Sequence, residues 1–220
     1  MHAGMTEPVR AFIQARMSSR RFPGKVLAPF RGEPMIQSVL RGVDLALPDV
    51  PIVVATSLHP SDDPLAAYVA TLGVPVFRGA LEQVFDRFVA CADTYPCRFI
   101  LRVNADSPLM GAPPLRAVMA HVDAPELDLV TTTFPRTFPR GQNAELIRVD
   151  AMRSIDTATM TPDDQEHVTQ FFYRNPGRFR ILNVESGDPS LAALSYAVDT
   201  LDDLHRLESA TDPTPGALRR

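Results

Sequence analysis

Short apolar runs and longer segments of helical period alternate along the first half of the chain. Three runs are rich in β-branched or aromatic residues and bounded by turn residues, which predicts buried strands at residues 9–15, 51–56 and 98–103. Between them, apolar residues recur every three or four positions, which predicts helices at residues 34–47, 62–72 and 81–95. Because strands that alternate with helices form parallel sheets covered on both faces, we predict a doubly wound α/β fold with a mostly parallel central sheet.

The second half is less regular but contains the same kinds of element. We predict a helix at residues 115–122, strands at 127–133, 144–149 and 179–184, and a connector at 134–142. A further helix should start at Thr161, whose hydroxyl can cap it before a proline and two acids, and continue to about Arg174. Thr200 starts the last predicted helix in a similar way. With no repeat or linker visible, residues 1–210 are expected to form one domain, followed by a flexible tail at 211–220.

Composition narrows the class of protein. Of the 220 residues, 45% are hydrophobic and 22% charged, as in packed soluble proteins, and the net charge is −4. The absence of a basic excess disfavours a dedicated nucleic-acid binder, although a local cluster can still bind an anion. No apolar run approaches the ~18 residues of a membrane helix, and residues 1–10 lack the apolar region of a signal peptide. Cys91 and Cys97 do not have the spacing of a metal-binding pair, so we expect structural thiols in a reduced, cytoplasmic setting.

The segment after the first strand carries a cluster of basic residues. Residues 14–25 read QARMSSRRFPGK, with Arg16, Arg20, Arg21 and Lys25 beside two serines and a Pro-Gly turn. Ligands of parallel α/β sheets bind beyond the carboxyl ends of the strands, and guanidinium groups, an ammonium and loop amides together suit a polyanion. The segment matches neither GxxxxGK[ST] nor GxGxxG. A solvated basic turn is the alternative interpretation.

Two aspartates are candidate ligands of a divalent cation. Asp106 follows the strand predicted at 98–103, so its carboxylate can reach the same edge of the sheet and bind Mg²⁺, although such a residue more often forms a turn. Asp199 directly precedes the cap of the last predicted helix, which leaves its carboxylate free for a metal or a ribose. Asp202 and Asp203, by contrast, are explained by the helix start, where acids interact favourably with the helix dipole.

A series of motifs, in this order, resembles one enzyme family. The opening QARMxSxRxPGK pattern of that family is matched at Gln14, Ala15, Arg16, Met17, Ser19, Arg21, Pro23, Gly24 and Lys25. Later matches are ATS at 55–57 with a following Asp62-Asp63 pair, GVPVFRG at 73–79, DRF at 86–88, ADxP at 105–108, EHVT at 166–169, RNP at 174–176 and VDT at 198–200. The chain thus resembles the cytidylyltransferases that make CMP-linked acidic sugars, and most closely their relatives named for spore coat polysaccharide biosynthesis. Each motif is weak alone, but the ordered set is specific.

This resemblance implies a Rossmann-like nucleotide-diphospho-sugar transferase fold and a Mg²⁺-dependent reaction with CTP that releases pyrophosphate. It also implies a small anionic acceptor and a homodimer, whose interface would use residues 134–149. The same resemblance assigns the nucleotide to Ala15, Arg16, Ser19, Arg21, Lys25, Thr56 and Arg87, Mg²⁺ to Asp106 and Asp199, and the acceptor to Asn104, Glu145, His167 and Tyr173. Arg16 and Lys25 would act in catalysis by neutralising the departing pyrophosphate.

Two departures from the family pattern concern the acceptor and the basic segment. Where relatives commonly carry a DGxDxE run, residues 140–145 read RGQNAE, so Arg140 and Asn143 replace two acids. We therefore expect an acceptor that is more anionic than usual. Ser18 stands where glycine is common, and its amide can still donate a hydrogen bond to a phosphate.

Other functions remain open from the residues themselves. A glycosyltransferase would also bind a sugar nucleotide, but its DxD signature at a strand end does not occur. A non-catalytic nucleotide-binding protein would tolerate the two substitutions just described, yet it has no physical need for the basic cluster and both aspartates together. Within the enzyme class, a sugar phosphate or a phosphonate is an alternative acceptor, and another NTP an alternative nucleotide. His167 is open between a structural role and acceptor binding, because the predicted helix places it on one face with Phe171 and Arg174.

Overall fold

Residues 7–210, the part of the chain that this computed structural model describes, form nine strands and eight α-helices. The strands are β1 (Glu7–Gln14), β2 (Pro29–Phe30), β3 (Glu33–Pro34), β4 (Ile52–Ser57), β5 (Val76–Gly79), β6 (Cys97–Asn104), β7 (Leu129–Thr131), β8 (Glu145–Arg148) and β9 (Ile181–Asn183). The helices are α1 (Met35–Ala46), α2 (Asp63–Thr71), α3 (Val84–Thr94), α4 (Ala112–Met119), α5 (Val149–Arg153), α6 (Pro162–Glu166), α7 (Gln170–Arg174) and α8 (Leu201–Ser209). The tail predicted at 211–220 lies outside the described residues.

Seven of the strands form one sheet in the order β5–β4–β1–β6–β8–β7–β9, while β2 and β3 form a separate hairpin. Neighbouring strands in the sheet are parallel, except that β8 is antiparallel to both β6 and β7. At the carboxyl end of β1, Gln14 lies opposite Ala55 of β4 and Asn104 of β6. These strands therefore end at one edge, where ligands of doubly wound sheets bind. The predicted fold class is confirmed.

Alternate residues of the central strand enter two separate hydrophobic cores. Ala11 and Ile13 face one core with apolar residues of α1, α2 and α4, whereas Phe12 faces the other with those of α3, α5 and α7. This division follows from the two-residue side-chain period of a strand. Because both faces are covered, the central strands consist largely of buried residues, which explains the short apolar runs in the sequence. We propose that residues 7–210 act as one domain, since a single sheet joins both halves of the chain.

Both cysteines are free thiols in the core that α3 forms with the sheet. Burial raises the pKa of the Cys97 thiol to about 11, so that it stays neutral and unreactive at physiological pH. This environment supports the predicted structural role of Cys91 and Cys97. Among residues 7–210, no helix is both long enough and apolar enough to cross a membrane.

One predicted helix is interrupted. The segment 161–174 forms two short helices, α6 and α7, because the backbone of His167 is not helical (φ −112°, ψ 89°). The interruption turns Val168 into the core and lets the Thr169 hydroxyl donate a 2.8 Å hydrogen bond to Glu145. The prediction of one continuous helix is therefore wrong, and His167 does not occupy the helical face that the prediction assigned to it.

Candidate active site

A cleft of about 750 Å³ opens at the carboxyl edge of β1 and β6. Gln14, Arg102 and Asn104 of these strands contribute to its lining. Of the residues that the sequence singled out, those lining the cleft are Ala15, Arg16, Ser19, Arg21, Lys25, Asn104, Asp106, His167 and Asp199. The basic cluster and both candidate metal ligands thus share one cavity.

The basic loop, residues 15–24, follows β1 and is closed by a hydrogen bond within its own backbone. The amide of Gly24 donates to the carbonyl oxygen of Met17 at 2.8 Å. Gly24 has φ +74°, in the left-handed region that favours glycine, which allows the turn. The Met17 amide in turn donates to Asp62 Oδ1 at 2.7 Å. These two bonds fix both ends of the loop that carries the arginines.

Asp62 is a buried carboxylate that joins the basic loop to β4. Its Oδ2 accepts hydrogen bonds from Thr56 Oγ1 and the Ser57 amide, each at 3.1 Å, and from the Ser57 hydroxyl. A buried carboxylate needs such partners, because desolvation otherwise penalises its charge. Thr56 therefore lies beneath the cleft, bonded to Asp62, and does not line it. Sequence reasoning missed this role of Asp62, which it noted only as part of the Asp62-Asp63 pair that follows the ATS motif and starts a predicted helix.

Arg87 also lies beneath the cleft, with 1% of its surface exposed. Its Nη1 donates to the carbonyl oxygens of Ala80 at 2.7 Å and Leu81 at 3.4 Å, and Leu81 lines the cleft. Burial, followed by the charge of nearby Arg16, lowers the pKa of the Arg87 guanidinium to about 10, which leaves it charged at neutral pH. Arg87 thus supports the wall of the cleft from behind.

Lys25 joins the two candidate metal ligands. Its Nζ donates to Asp106 Oδ2 at 2.8 Å, to Asp199 Oδ1 at 3.1 Å and to the carbonyl oxygen of Val198 at 2.7 Å. Only 10% of the lysine side chain is exposed. All three ammonium protons therefore have acceptors within the protein.

Asp199 attracts two further cations. The Nη2 atoms of Arg21 and Arg140 approach its Oδ2 at 2.9 and 3.0 Å. Burial by itself raises the pKa of the Asp199 carboxyl, but the hydrogen bond from Lys25 and the charges of all three cations bring the pKa below its ordinary value. Asp199 is therefore ionised throughout the physiological range.

The connector between β7 and β8 places a second arginine near Arg140. Arg136 is half-buried and donates to the side-chain oxygen of Asn143, a neutral partner. Burial, and then the positive charge of Arg140, lowers the pKa of Arg136. The connector approaches closely because of Gly141 (φ +91°), where a Cβ would lie 2.4 Å from the amide nitrogen of Ala197. Arg140 therefore reaches the cleft through its ion pair with Asp199, and Arg136 lies near Arg140, but neither arginine lines the cleft itself.

Glu145 and Tyr173, which were expected at the acceptor, lie behind the cleft. Glu145 is 4% exposed and accepts hydrogen bonds from Arg102, from Thr169 and from the Tyr173 hydroxyl at 2.6 Å. Burial, together with the Glu145 charge, raises the pKa of Tyr173 far above its ordinary value, so this hydroxyl stays protonated. Arg102 also donates to Gln14 and lines the cleft. Sequence reasoning missed Arg102, an arginine inside an otherwise apolar strand.

On the other side of the cleft, α6 faces the basic loop. Arg16 Nη2 and Glu166 Oε1 are 2.9 Å apart, and this hydrogen bond lowers the pKa of the Glu166 carboxyl. Glu166 also lines the cleft, although the sequence analysis gave it no role beyond its place in the EHVT motif. His167 lies next to it with 59% of its side chain exposed, and its Nε2 is 3.6 Å from Asp163. The imidazole is thus open to a ligand in the cleft.

Asp106 and Asp199 suit a divalent cation that arrives with other ligands. Within the described part of the chain, no group of three or more His, Cys, Asp or Glu side chains could hold a metal ion. Mg²⁺ in proteins is usually bound by one or two carboxylates together with substrate phosphates and waters. Two aspartates beside a basic cleft match that donor set, so the residues fit the metal that the sequence resemblance implies.

Comparisons with known proteins identify relatives along nearly the whole chain. A family model described as cytidylyltransferase matches residues 11–203. The spore coat polysaccharide biosynthesis protein SpsF of Bacillus subtilis (strain 168) is 30% identical over 205 residues, which cover 90% of this chain and 83% of that protein. The 3-deoxy-manno-octulosonate cytidylyltransferase of Maricaulis maris (strain MCS10) is 30% identical over 217 residues, which cover 94% of this chain and 78% of that protein.

Solved structures have the same fold. A cytidylyltransferase from Leptospira borgpetersenii serovar Hardjo-bovis (strain JB197) superposes with a TM-score of 0.86 at 26% identity, covering 92% of this chain and 86% of that one. A CMP:2-keto-3-deoxy-manno-octonic acid synthetase complexed with CTP gives a TM-score of 0.71 at 19% identity, covering 91% and 97% of the two chains. The second likeness concerns the fold alone.

Proposed function

Because the chain belongs to the cytidylyltransferase family and is thus a nucleotidyltransferase, we propose that it transfers CMP from CTP to a small anionic sugar acceptor and releases pyrophosphate. One observation carries this proposal: the basic loop and the two aspartates meet in one cleft, at Lys25. Cations along a phosphate chain and a carboxylate pair for a divalent ion are the two requirements of nucleotidyl transfer. The product would serve polysaccharide or glycoconjugate biosynthesis.

The triphosphate would lie along the basic loop. In the reaction an acceptor oxygen attacks the α-phosphorus in line, a new P–O bond forms, and the bond to the β-phosphate oxygen breaks. Little covalent chemistry is left to the protein, so positioning and charge stabilisation dominate. Arg16 and Arg21 would hold phosphate oxygens through their guanidinium groups, with the loop amide of Ser19 beside them. Ala15 also lines the cleft, but its amide donates to the carbonyl oxygen of Ala55 at 3.3 Å and is not free for a phosphate. Lys25 would neutralise the departing pyrophosphate.

We propose Mg²⁺ as the divalent cation, held by Asp106 and Asp199. When bound, such an ion supplies positive charge to the phosphate oxygens and aligns the attacking and leaving groups. The ion pairs of Asp199 with Arg21 and Arg140 keep this carboxylate ionised and oriented toward the cleft.

The base and ribose would lie against residues 81–82, which line the cleft near α3. Arg87 and Thr56 support this part of the site indirectly. Arg87 holds the carbonyl groups of residues 80–81, and Thr56 holds Asp62, which fixes the basic loop.

The acceptor would lie on the side of the connector, near Asn104 and His167. Arg136 and Arg140 supply positive charge there, which supports an anionic acceptor. Glu145 and Tyr173 would act through Arg102, which carries their hydrogen-bond network to the cleft surface. Since the imidazole of His167 is exposed, we propose that it binds the acceptor.

The test is release of pyrophosphate by the purified protein with Mg²⁺, first with CTP alone and then with single acceptors. We expect acceptor-dependent release with an acidic sugar such as 3-deoxy-manno-octulosonate, and the largest rise in melting temperature with CTP among the four NTPs. Release with a sugar phosphate or a phosphonate would keep the reaction class but change the acceptor. Absence of release with every acceptor, or equal stabilisation by all four NTPs, would contradict the proposal.

We also propose a homodimer. Strand β8 is hydrogen-bonded on both sides within the chain, to β6 and β7, so it does not offer a free edge to a partner. The prediction that the interface uses residues 134–149 is therefore corrected for β8, which lies inside the sheet. The connector remains, with Phe134 41% exposed. Light scattering after size-exclusion chromatography should give twice the mass of 24.2 kDa, and a monomer mass would contradict the proposal.

A further inference from the structure

We infer that Lys25 occupies the place of the divalent cation between Asp106 and Asp199, so that these aspartates take up the metal only together with a nucleotide. The inference rests on the proposed function, which assigns the metal to this pair. Lys25 is the only lysine among the 22 basic residues of the chain. The one side-chain ammonium of the chain thus lies between the two candidate metal ligands.

The geometry is that of a fully coordinated ion. Lys25 Nζ donates to Asp106 at 2.8 Å, to Asp199 at 3.1 Å and to the Val198 carbonyl at 2.7 Å. An ammonium is a compact point charge with three donors, whereas the guanidinium of arginine presents its donors in a planar fork. The side chain is 10% exposed, so water does not readily replace these partners.

A divalent cation bound by the same two oxygens, Asp106 Oδ2 and Asp199 Oδ1, would have to displace the ammonium. Mg²⁺ binds oxygen at about 2.0–2.1 Å, so both carboxylates would have to close in on the point that the nitrogen now occupies. Lys25 would then lose all three acceptors. A metal ion alone offers the ammonium nothing in exchange, but the phosphate oxygens of a bound nucleotide would be new acceptors within the same cleft.

The charges of the cluster support the same inference. Three cations, Lys25, Arg21 and Arg140, face the two carboxylates, so the cluster already carries one excess positive charge. A divalent cation alone would increase this excess, which Coulomb repulsion opposes at such short range. A triphosphate carries more than enough negative charge to neutralise the excess positive charge of the cluster. The cluster therefore favours metal and nucleotide together over metal alone.

The experiment is a Mn²⁺ titration followed by electron paramagnetic resonance, with Mn²⁺ replacing Mg²⁺ as the probe. Without nucleotide, Lys25→Met should bind one Mn²⁺ at least about tenfold more tightly than the wild type, which corresponds to about 1.4 kcal/mol. The binding should disappear in Lys25→Met/Asp199→Asn. Arg21→Met is the matched control, because it removes the same charge from Asp199 but leaves the ammonium in place, and its affinity for Mn²⁺ should rise clearly less than that of Lys25→Met.

Wild-type protein gives an independent readout in case Lys25→Met does not fold. An amine-reactive reagent labels only Lys25 and the chain's α-amino group, so peptide mass spectrometry reports on this one side chain. Labelling of Lys25 should be slow and unchanged by Mn²⁺ alone. Faster labelling on addition of Mn²⁺ without nucleotide would show that the metal displaces the lysine by itself and would overturn the inference.

The same data separate this inference from the proposed function. Tight binding of Mn²⁺ to the wild type without nucleotide, lost in Asp199→Asn, overturns the inference but leaves the metal site intact. If neither Lys25→Met alone nor the wild type with CTP binds Mn²⁺ in an Asp199-dependent way, the assignment of the metal to this pair fails, and both fall.

Discussion

Arg16 of the basic loop and Glu166 at the end of α6 form a 2.9 Å ion pair across the cleft. If Arg16 holds a phosphate, as we propose, the phosphate would have to replace the Glu166 carboxylate as its partner. Both side chains are substantially exposed, so the interaction is screened and modest. We therefore expect the pair to affect nucleotide binding more than stability, and the KM for CTP is the quantity to measure.

Removing the acid should release Arg16 for the nucleotide. We expect Glu166→Gln to lower the KM for CTP by about two- to fivefold, in line with the strength of exposed ion pairs. Asp163→Asn, on the same helix but paired only weakly with His167, is the control and should leave this KM unchanged. A higher KM for Glu166→Gln would mean that Glu166 supports the substrate.

Asp62 should matter for the shape of the basic loop. In Asp62→Asn the amide group would oppose some of the donors that now converge on the carboxylate, so we expect a loss of about 1–3 kcal/mol in the free energy of unfolding. Weaker CTP binding should accompany it, because the Met17 amide loses its anchor. Urea unfolding and a CTP titration check both effects. Asp63→Asn, at an exposed ion pair with Arg78, should change neither measurably.

The lowered pKa of Asp199 predicts a pH dependence of stability. A carboxyl whose pKa is lower in the folded than in the unfolded state stabilises the fold above its unfolded pKa of ~3.9 and loses this effect as the pH falls through its folded pKa. Asp199→Asn should therefore be less stable than the wild type at pH 7, and the difference should shrink below about pH 4. Denaturant unfolding between pH 3 and 7 measures it, with the exposed Asp202→Asn as control. A difference that is constant with pH would contradict the electrostatic role.

Arg136 should select the acceptor. Arg136 is half-buried beside Arg140, and its hydrogen-bond partner, Asn143, is neutral. An anionic acceptor group that contacts Arg136 would therefore relieve the repulsion between the two arginines. We expect Arg136→Gln to raise the KM for the acceptor about tenfold, the effect of one charge-assisted hydrogen bond, while the KM for CTP stays the same. Arg153→Gln, at an exposed pair with Asp93, is the matched control. An equal rise in both KM values would indicate a general structural role.

The sequence predicts the fold well where one physical requirement dominates. The buried strands β1, β4 and β6 need continuous apolar residues, and helices α1 to α3 need an apolar face, so both leave a clear pattern. Strand β5, a half-exposed edge, and the two-residue strands of the hairpin leave none. The interruption at His167 leaves no signal in the local sequence. It is linked to the hydrogen bond that Thr169 donates to Glu145, a residue distant in sequence.

The site shows the same limit. Motifs and strand ends predicted which residues meet at the cleft, because loops after parallel strands converge at one edge. They did not predict how far each side chain lies from the cleft surface. Thr56, Arg87, Glu145 and Tyr173 lie one layer behind the cleft, and only the three-dimensional hydrogen bonds show whether a polar side chain faces a ligand or holds a neighbour.

The most direct measurement is phosphorus NMR of the reaction with CTP, Mg²⁺ and a working anionic sugar acceptor. We expect equal amounts of pyrophosphate and a CMP-linked acceptor from the wild type, and a kcat lower by roughly 10²–10³ for Lys25→Ala, since we propose that its ammonium acts on the leaving group. Formation of CDP and phosphate instead, or a normal rate for Lys25→Ala, would contradict the account.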